Sequence, residues 1–185
     1  MTYSLNQKIP TDNNTFCETC AIEDPNISKF NSLRIPFSSG CKSHINFCVS
    51  DLVLVGSFVN IKQPYILGST KNITIFYDIT NSGEIAHLVV LTIMIPSNAK
   101  LSKNPSNCNV NKEETTMKCD VNVGKQLGDG EKVNFTATFD VSLLSGTVFQ
   151  VNAFVNSSGS ESVPADNESE LKLHLAEFSV IELNG

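Results

Sequence analysis

From residue 51 onward the chain advances in steps of two. Residues 72–80 place Ile73, Ile75, Tyr77 and Ile79 on one face and Thr74, Asp78 and Thr80 on the other. Successive side chains of an extended strand point to opposite sides, so this pattern describes a strand with one face in a core. Residues 51–59, 131–141, 148–155 and 171–183 carry similar apolar content, and 131–141 alternates Val133, Phe135, Ala137 and Phe139. Residues 87–95 form an apolar run ending at Pro96. They are too short and too β-branched for a buried helix, so they too predict a strand. Residues 119–123 are a further short candidate. Residues 63–68 read as a turn and a short edge, because Pro64 cannot donate to a central ladder. Asn81-Ser82-Gly83-Glu84 is a turn signal. Seven or eight strands joined by polar turns predict an all-β, antiparallel β-sandwich.

The 185 residues suffice for one ordinary domain and a small extra piece. Residues 1–40 are polar and broken by Pro10, Pro25 and Pro36. Tyr3 with Leu5, and the run from Leu33 to Phe37, are candidate terminal strands. With so little apolar content they predict a remnant of a preceding β domain rather than a domain of their own. Net charge is −6 with no basic cluster, which removes the electrostatic footprint of a nucleic-acid binder.

Six cysteines, at 17, 20, 41, 48, 108 and 119, are open to three uses: thiols, metal ligands or disulfides. N-glycosylation acceptor patterns begin at Asn13, Asn26, Asn72, Asn134, Asn156 and Asn167. Six such patterns beside an even cysteine count point to an oxidising, extracellular setting. The chain opens on no signal-peptide pattern and holds no apolar run of bilayer-spanning length. It is therefore expected to be a piece of something longer, with any membrane attachment made through a transmembrane segment it lacks.

Catalytic patterns are missing: no Gly-x-Ser-x-Gly, no His-Glu-x-x-His and no phosphate-cradling glycine loop. His44, His87 and His174 read as loop or strand histidines, and Glu113-Glu114 as a solvated turn. No enzyme is expected. Cys17-Glu18-Thr19-Cys20 with Cys41 and Cys48 presents a four-thiolate zinc alternative. Six residues between the last two cysteines exceed the usual knuckle, and a redox C-x-x-C would open a helix rather than sit in polar coil. Disulfides are the preferred reading. For calcium there is no Asp-x-Asp-x-Asp-Gly loop; Asp51, Glu84 and carbonyls of the 41–48 loop are the oxygens that could converge.

Ile35-Pro36-Phe37, then Cys41 and Cys48, then Ser50-Asp51-Leu52-Val53-Leu54 resembles the junction between the thigh domain and the first calf domain of integrin α chains. Residues 67–74 look like the second strand of that calf domain. Asn81-Ser82-Gly83-Glu84-Ile85-Ala86 is similar to its Asn-x-Gly-Glu-x-Ala turn. The strand ending at Pro96, the Cys108 and Cys119 pair, Val133-Asn134-Phe135 with Phe139, the serine-rich turn at 156–162 with Asp166-Asn167, and the closing strand at 180–185 follow in the family's order. The resemblance implies a thigh remnant at 1–40, a knee or genu loop at 41–48, and an immunoglobulin-like, calf-1-like sandwich at 49–185. With locality, it implies disulfides Cys41–Cys48 and Cys108–Cys119, leaving Cys17 and Cys20 joined to each other or to cysteines beyond the chain. It also implies an invertebrate member, an integrin β subunit as partner, and a place on the extracellular side of the plasma membrane. The role it implies is that of a spacer and hinge in an adhesion receptor, without ligand binding of its own.

In many integrin α chains the knee loop reads Cys-Gly-x-Asp-x-x-Cys and holds calcium, helped by the glutamate of the Asn-x-Gly-Glu turn. Here that glutamate is kept as Glu84, but the loop has six residues between its cysteines and no carboxylate. Asn46 and the backbone carbonyl of Cys41 are the oxygens left to join Glu84, which predicts weaker calcium binding. Two other readings compete: a free-standing secreted, glycosylated β-sandwich binding module, and an intracellular cysteine-rich zinc module.

Overall fold

The computed structural model describes residues 40–42 and 48–178. The expectations placed on residues 1–39 (the thigh-like remnant, Cys17, Cys20, Asn13 and Asn26), on His44 and Asn46, and on the closing strand from Val180 lie outside the described residues. Two compact units divide the chain, Met1–Ser38 and Ser39–Gly185, and the second is described below.

Among the described residues twelve strands run in chain order: β1 (Val49–Ser50), β2 (Leu52–Phe58), β3 (Tyr65–Ile66), β4 (Asn72–Asn81), β5 (Val90–Met94), β6 (Lys100–Leu101), β7 (Cys108–Val110), β8 (Thr116–Asp120), β9 (Lys132–Asp140), β10 (Val148–Asn156), β11 (Ser160–Glu161) and β12 (Glu168–Ala176). One sheet has the order β2-β4-β9-β6 and a larger one the order β3-β12-β10-β5-β8-β7; β1 and β11 form a two-stranded parallel ribbon of their own. The long pairs are antiparallel, and β3 joins β12 in parallel. Among the described residues no helix is long and apolar enough to cross a membrane.

The period of two does what it predicts. Ile73, Ile75, Tyr77 and Ile79 are wholly buried, and their alternate neighbours Thr74, Phe76, Asp78 and Thr80 line the other face. Against them pack Leu91 and Ile93 of β5, Met117 of β8, Phe149 and Val151 of β10, and Leu173 of β12. Burying a side chain of this size contributes roughly 1.5–3 kcal/mol, so these facing layers are the main source of stability. Phe139 meets Phe149 edge-on across the sheets, ring centres 6.1 Å apart.

Tyr77 sits in register between Gly56 and Phe135. A Cβ at residue 56 would stand 2.6 Å from Ser169 Oγ, 3.0 Å from Leu171 Cδ1 and 3.1 Å from Tyr77 Cε1, so the missing side chain lets the two sheets close on that flank. The Tyr77 hydroxyl is buried without a hydrogen-bond partner, and burial pushes its pKa up.

Some strand bounds differ from the sequence reading. The strand expected at 119–123 is β8, Thr116–Asp120. It stops early because the Asp120 carboxylate turns back to accept the Gly124 N–H (2.7 Å), after Val123 has taken φ +52. The run from His87 enters its strand only at Val90, since Leu88 adopts φ +52 and breaks the extended backbone. Cys108 and Cys119, opposite one another in the β7–β8 ladder, form a disulfide.

Candidate functional site: a pinned junction

Cys41 and Cys48 are joined by a disulfide, their Cα atoms 5.0 Å apart. Cys41 and Cys48 thus offer no thiolates, which removes the four-thiolate zinc alternative. Directly after Cys48 the two residues of β1 run between two segments that grip them from either side.

On one side stands the turn after β4. Glu84 N donates to Val49 O (2.9 Å) and Ser82 N to Asp51 O (2.8 Å). The Glu84 carboxylate returns the grip, its Oε2 accepting the Val49 N–H at 3.0 Å. On the other side stands the serine-rich turn. Ser160 N donates to Cys48 O (3.0 Å) and Ser162 N to Ser50 O (2.8 Å). Glu161 Oε1 accepts the N–H groups of Leu52 (3.0 Å) and Ser162 (3.1 Å). The wholly buried Ser50 hydroxyl lies within reach of Ser157 Oγ (3.1 Å), Ser160 O (3.2 Å) and Glu161 Oε2 (3.4 Å).

Two glycines permit this closeness. A Cβ at residue 83 would stand 2.7 Å from Asp51 N and 2.9 Å from the Ser50 carbonyl carbon; one at residue 159 would stand 2.8 Å from Cys48 O. Both obstacles are backbone, which cannot swing aside as a side chain can.

Asn81 ties the turn to the sandwich. Its amide is wholly buried and all four of its hydrogen-bonding positions are used. Oδ1 accepts from Asp51 N (3.2 Å) and Gly83 N (3.1 Å); Nδ2 donates to Glu84 O (2.7 Å) and Leu127 O (2.9 Å). Ala86, also buried, exchanges both backbone hydrogen bonds with Leu127. Each fixed residue of the Asn-x-Gly-Glu-x-Ala turn therefore serves a physical purpose. Asn81 is a hub, Gly83 permits the close approach, Glu84 grips β1, and Ala86 is small enough to lie under a bridge. The contributions of Ser50 and Glu161 were not singled out from sequence, because a two-residue parallel ribbon has no periodicity to detect.

Glu84 also approaches the disulfide. Its carboxylate and the sulfurs of Cys41 and Cys48 lie within 4.8 Å of one another, whereas Asp51 does not join this group, although its buried Oδ1 lacks a hydrogen-bond partner. Calcium takes about six to eight oxygen ligands. One carboxylate, already accepting a backbone N–H, beside two disulfide sulfurs does not meet that demand among the described residues.

The remaining candidates lie apart from the junction or at its margin. The His87 carbonyl accepts from Ser158 N (2.9 Å) and Oγ (3.1 Å). His174 is exposed on β12 opposite Val148, and Glu113 and Glu114 are exposed in the turn between β7 and β8. Asn72, Asn134 and Asn156 are exposed; Asn167 is only 8% exposed, its Oδ1 buried without a partner. Burial of that side chain sets Asn167 apart from the other described acceptor patterns.

Comparison with known proteins adds four findings. A family model described as integrin alpha Ig-like domain 2 matches residues 41–175. Integrin alpha-PS5 of Drosophila melanogaster is 37% identical over 183 residues, 99% of this chain and 18% of the fly protein. Integrin alpha-PS3 of the same organism is 38% identical over 185 residues, 100% of this chain and 16% of that protein. Human integrin alpha-E is 30% identical over 74 residues, 40% of this chain and 6% of that protein. The chain thus spans less than a fifth of the length of the curated relatives it matches.

Proposed function

The chain belongs to the integrin α family, whose second immunoglobulin-like domain it carries, and from that premise we propose that it is a spacer and joint in the leg of an adhesion receptor. It is not an enzyme. In this reading the parent protein pairs with an integrin β subunit and stands on the outer face of the plasma membrane. The segment itself binds no matrix or cell-surface ligand. It supports the parts that do, and governs how the leg leaves the preceding domain.

One observation carries the reading: the chain enters the sandwich through a disulfide and a strand gripped on both sides by backbone hydrogen bonds. A module that served only to present a binding surface would not require its entry to be held this way. Holding the entry fixes where motion can occur, because residues after Cys48 cannot follow those before Cys41 without breaking the grip. The described donors supply this rigidity through covalent and hydrogen bonds.

The test uses the parent ectodomain paired with its β subunit and imaged as single particles. Cys41→Ser with Cys48→Ser is expected to broaden the distribution of leg angles while leaving subunit pairing intact; an unchanged distribution would refute the joint. The melting temperature of the chain is expected to be the same in millimolar calcium and in chelator. A rise of several degrees with calcium would return the cation to the junction.

A further inference from the structure

We propose that an N-linked glycan on Asn134 caps a long, uncharged open strand edge of the sandwich and keeps a second copy of the chain from pairing with it. The inference rests on the extracellular setting proposed above. It starts from a comparison of edges.

Strand edges present unpaired N–H and C=O groups that template pairing with another chain. Most edges here are short or covered. β3 has two residues and β7 three, the latter tied to β8 by the Cys108–Cys119 disulfide, and the part of β12 that β3 leaves unpaired carries the charges of Glu168, Glu170 and Lys172, which discourage pairing. The edge of β2 lies against β12 at Gly56, beside Ser169 and Leu171, and Glu161 takes up its Leu52 N–H. β9 differs. Its partner on that side, β6, reaches only Asp140 and Phe139, followed by one bond from Ser102 N to Thr138 O (2.9 Å). Alternate residues of a strand direct their backbone groups to the same edge. Thr136 and Asn134 therefore point theirs the same way as Thr138, and among the described residues nothing pairs with them there.

The exposed edge is also of a hazardous kind. Val133-Asn134-Phe135-Thr136-Ala137-Thr138-Phe139 is rich in β-branched and aromatic residues, with no charge and no proline. Lys132 and Lys103 stand near its start and across from it, the sort of charge that discourages pairing, but neither lies within the run.

The third observation is the place of the acceptor pattern. Asn134 and Thr136 are both exposed on the outward side of β9. Asn134 itself lines an open trough of about 580 Å³ between β9 and the segment Lys103 to Asn107, with Asn104, Ser106 and Thr138 among the other lining residues. That volume lies within the range of ligand-sized clefts, roughly 300–1,000 Å³. Amide and hydroxyl groups line it, the partners a sugar requires. Sugars attached at Asn134 thus lie along the edge where an incoming strand would need to sit.

The chain secreted from insect cells would be mapped by glycopeptide mass spectrometry, then sized by light scattering over a concentration series. Asn134 is expected to be occupied and the protein monomeric. Removing glycan from the folded protein with an N-glycanase, or blocking it with Asn134→Gln or separately Thr136→Ala, is expected to give concentration-dependent species of at least twice the mass. Asn72→Gln and Asn156→Gln are expected to remain monomeric. Occupancy at Asn72 and Asn156 with none at Asn134, or monomeric Asn134→Gln and Thr136→Ala, would overturn the cap alone. Absence of glycan at every acceptor would overturn the extracellular setting and the cap with it.

Discussion

Replacing Asn81 tests whether the turn after β4 is a hub rather than a passive loop. The amide makes four hydrogen bonds from a position with no exposure to water. Asn81→Asp keeps the shape and both acceptor contacts, but replaces the two donors that face Glu84 O and Leu127 O. Leu127 O keeps the Ala86 N–H, but Glu84 O is left without a partner at a cost of about 1–3 kcal/mol, so the loss is about 2 kcal/mol at neutral pH. That is a sizeable part of the roughly 5–15 kcal/mol that holds a domain together. The introduced carboxyl would be desolvated and face two carbonyl oxygens, which raises its pKa in the folded state above its unfolded value near 4. The folded variant then binds more protons than the unfolded chain, so its stability falls as pH rises through that window. The deficit relative to wild type should be smaller near pH 4 than near pH 7, because a protonated carboxyl can donate one of the missing bonds. Urea unfolding followed by far-ultraviolet circular dichroism is the assay, since the chain has no tryptophan to report. A deficit below about 1 kcal/mol at neutral pH, or one that does not change with pH, would refute the hub.

Three further outcomes follow from other contacts. Gly83→Ala places a methyl group 2.7 Å from a backbone nitrogen of the junction, and overpacking of this kind costs about 1–3 kcal/mol, read as a lower melting temperature and faster hydrogen exchange at Val49 and Leu52. Tyr77→Phe deletes a buried hydroxyl that has no partner, so it should stabilise by about 1 kcal/mol and raise the melting temperature by about 2–4 °C; a loss of stability would reveal a bond to that oxygen. Asn167 should be empty in glycopeptide maps of secreted protein while Asn72 and Asn156 carry sugar, because its side chain is buried; full occupancy would show that this turn opens.

The long strands were legible because burial imposes a period of two. Ile73 to Ile79 could take one orientation only, and β4, β9 and β10 appear where the alternation places them. Short ladders were not legible. β1, β6 and β11 are set by partners distant in the chain, as when Val49 pairs with Ser160, and in these, as in the three-residue β7, two or three residues carry no period. The same limit explains why β8 was expected too late: the stop comes from a bond between Asp120 and Gly124, not from a change in hydrophobicity. At the junction, the Asn-x-Gly-Glu-x-Ala turn was visible as a pattern, but its purpose was not. The Glu84 carboxylate holds the Val49 N–H, a contact that the pattern does not announce. Asn81, which looked like an ordinary turn residue, bears four hydrogen bonds.

The Cys41–Cys48 bridge has a mechanical side. Seven residues drawn straight would span roughly 24 Å, yet the bridge holds their ends 5.0 Å apart at the Cα atoms. Tension applied ahead of Cys41 therefore bypasses the loop and arrives at Val49 with no slack to take up. There it runs along β1, whose hydrogen bonds lie across the strand on both flanks and are loaded together in shear rather than opened one after another. A pull on this chain is thus delivered to the sandwich as a sharp, immediate load.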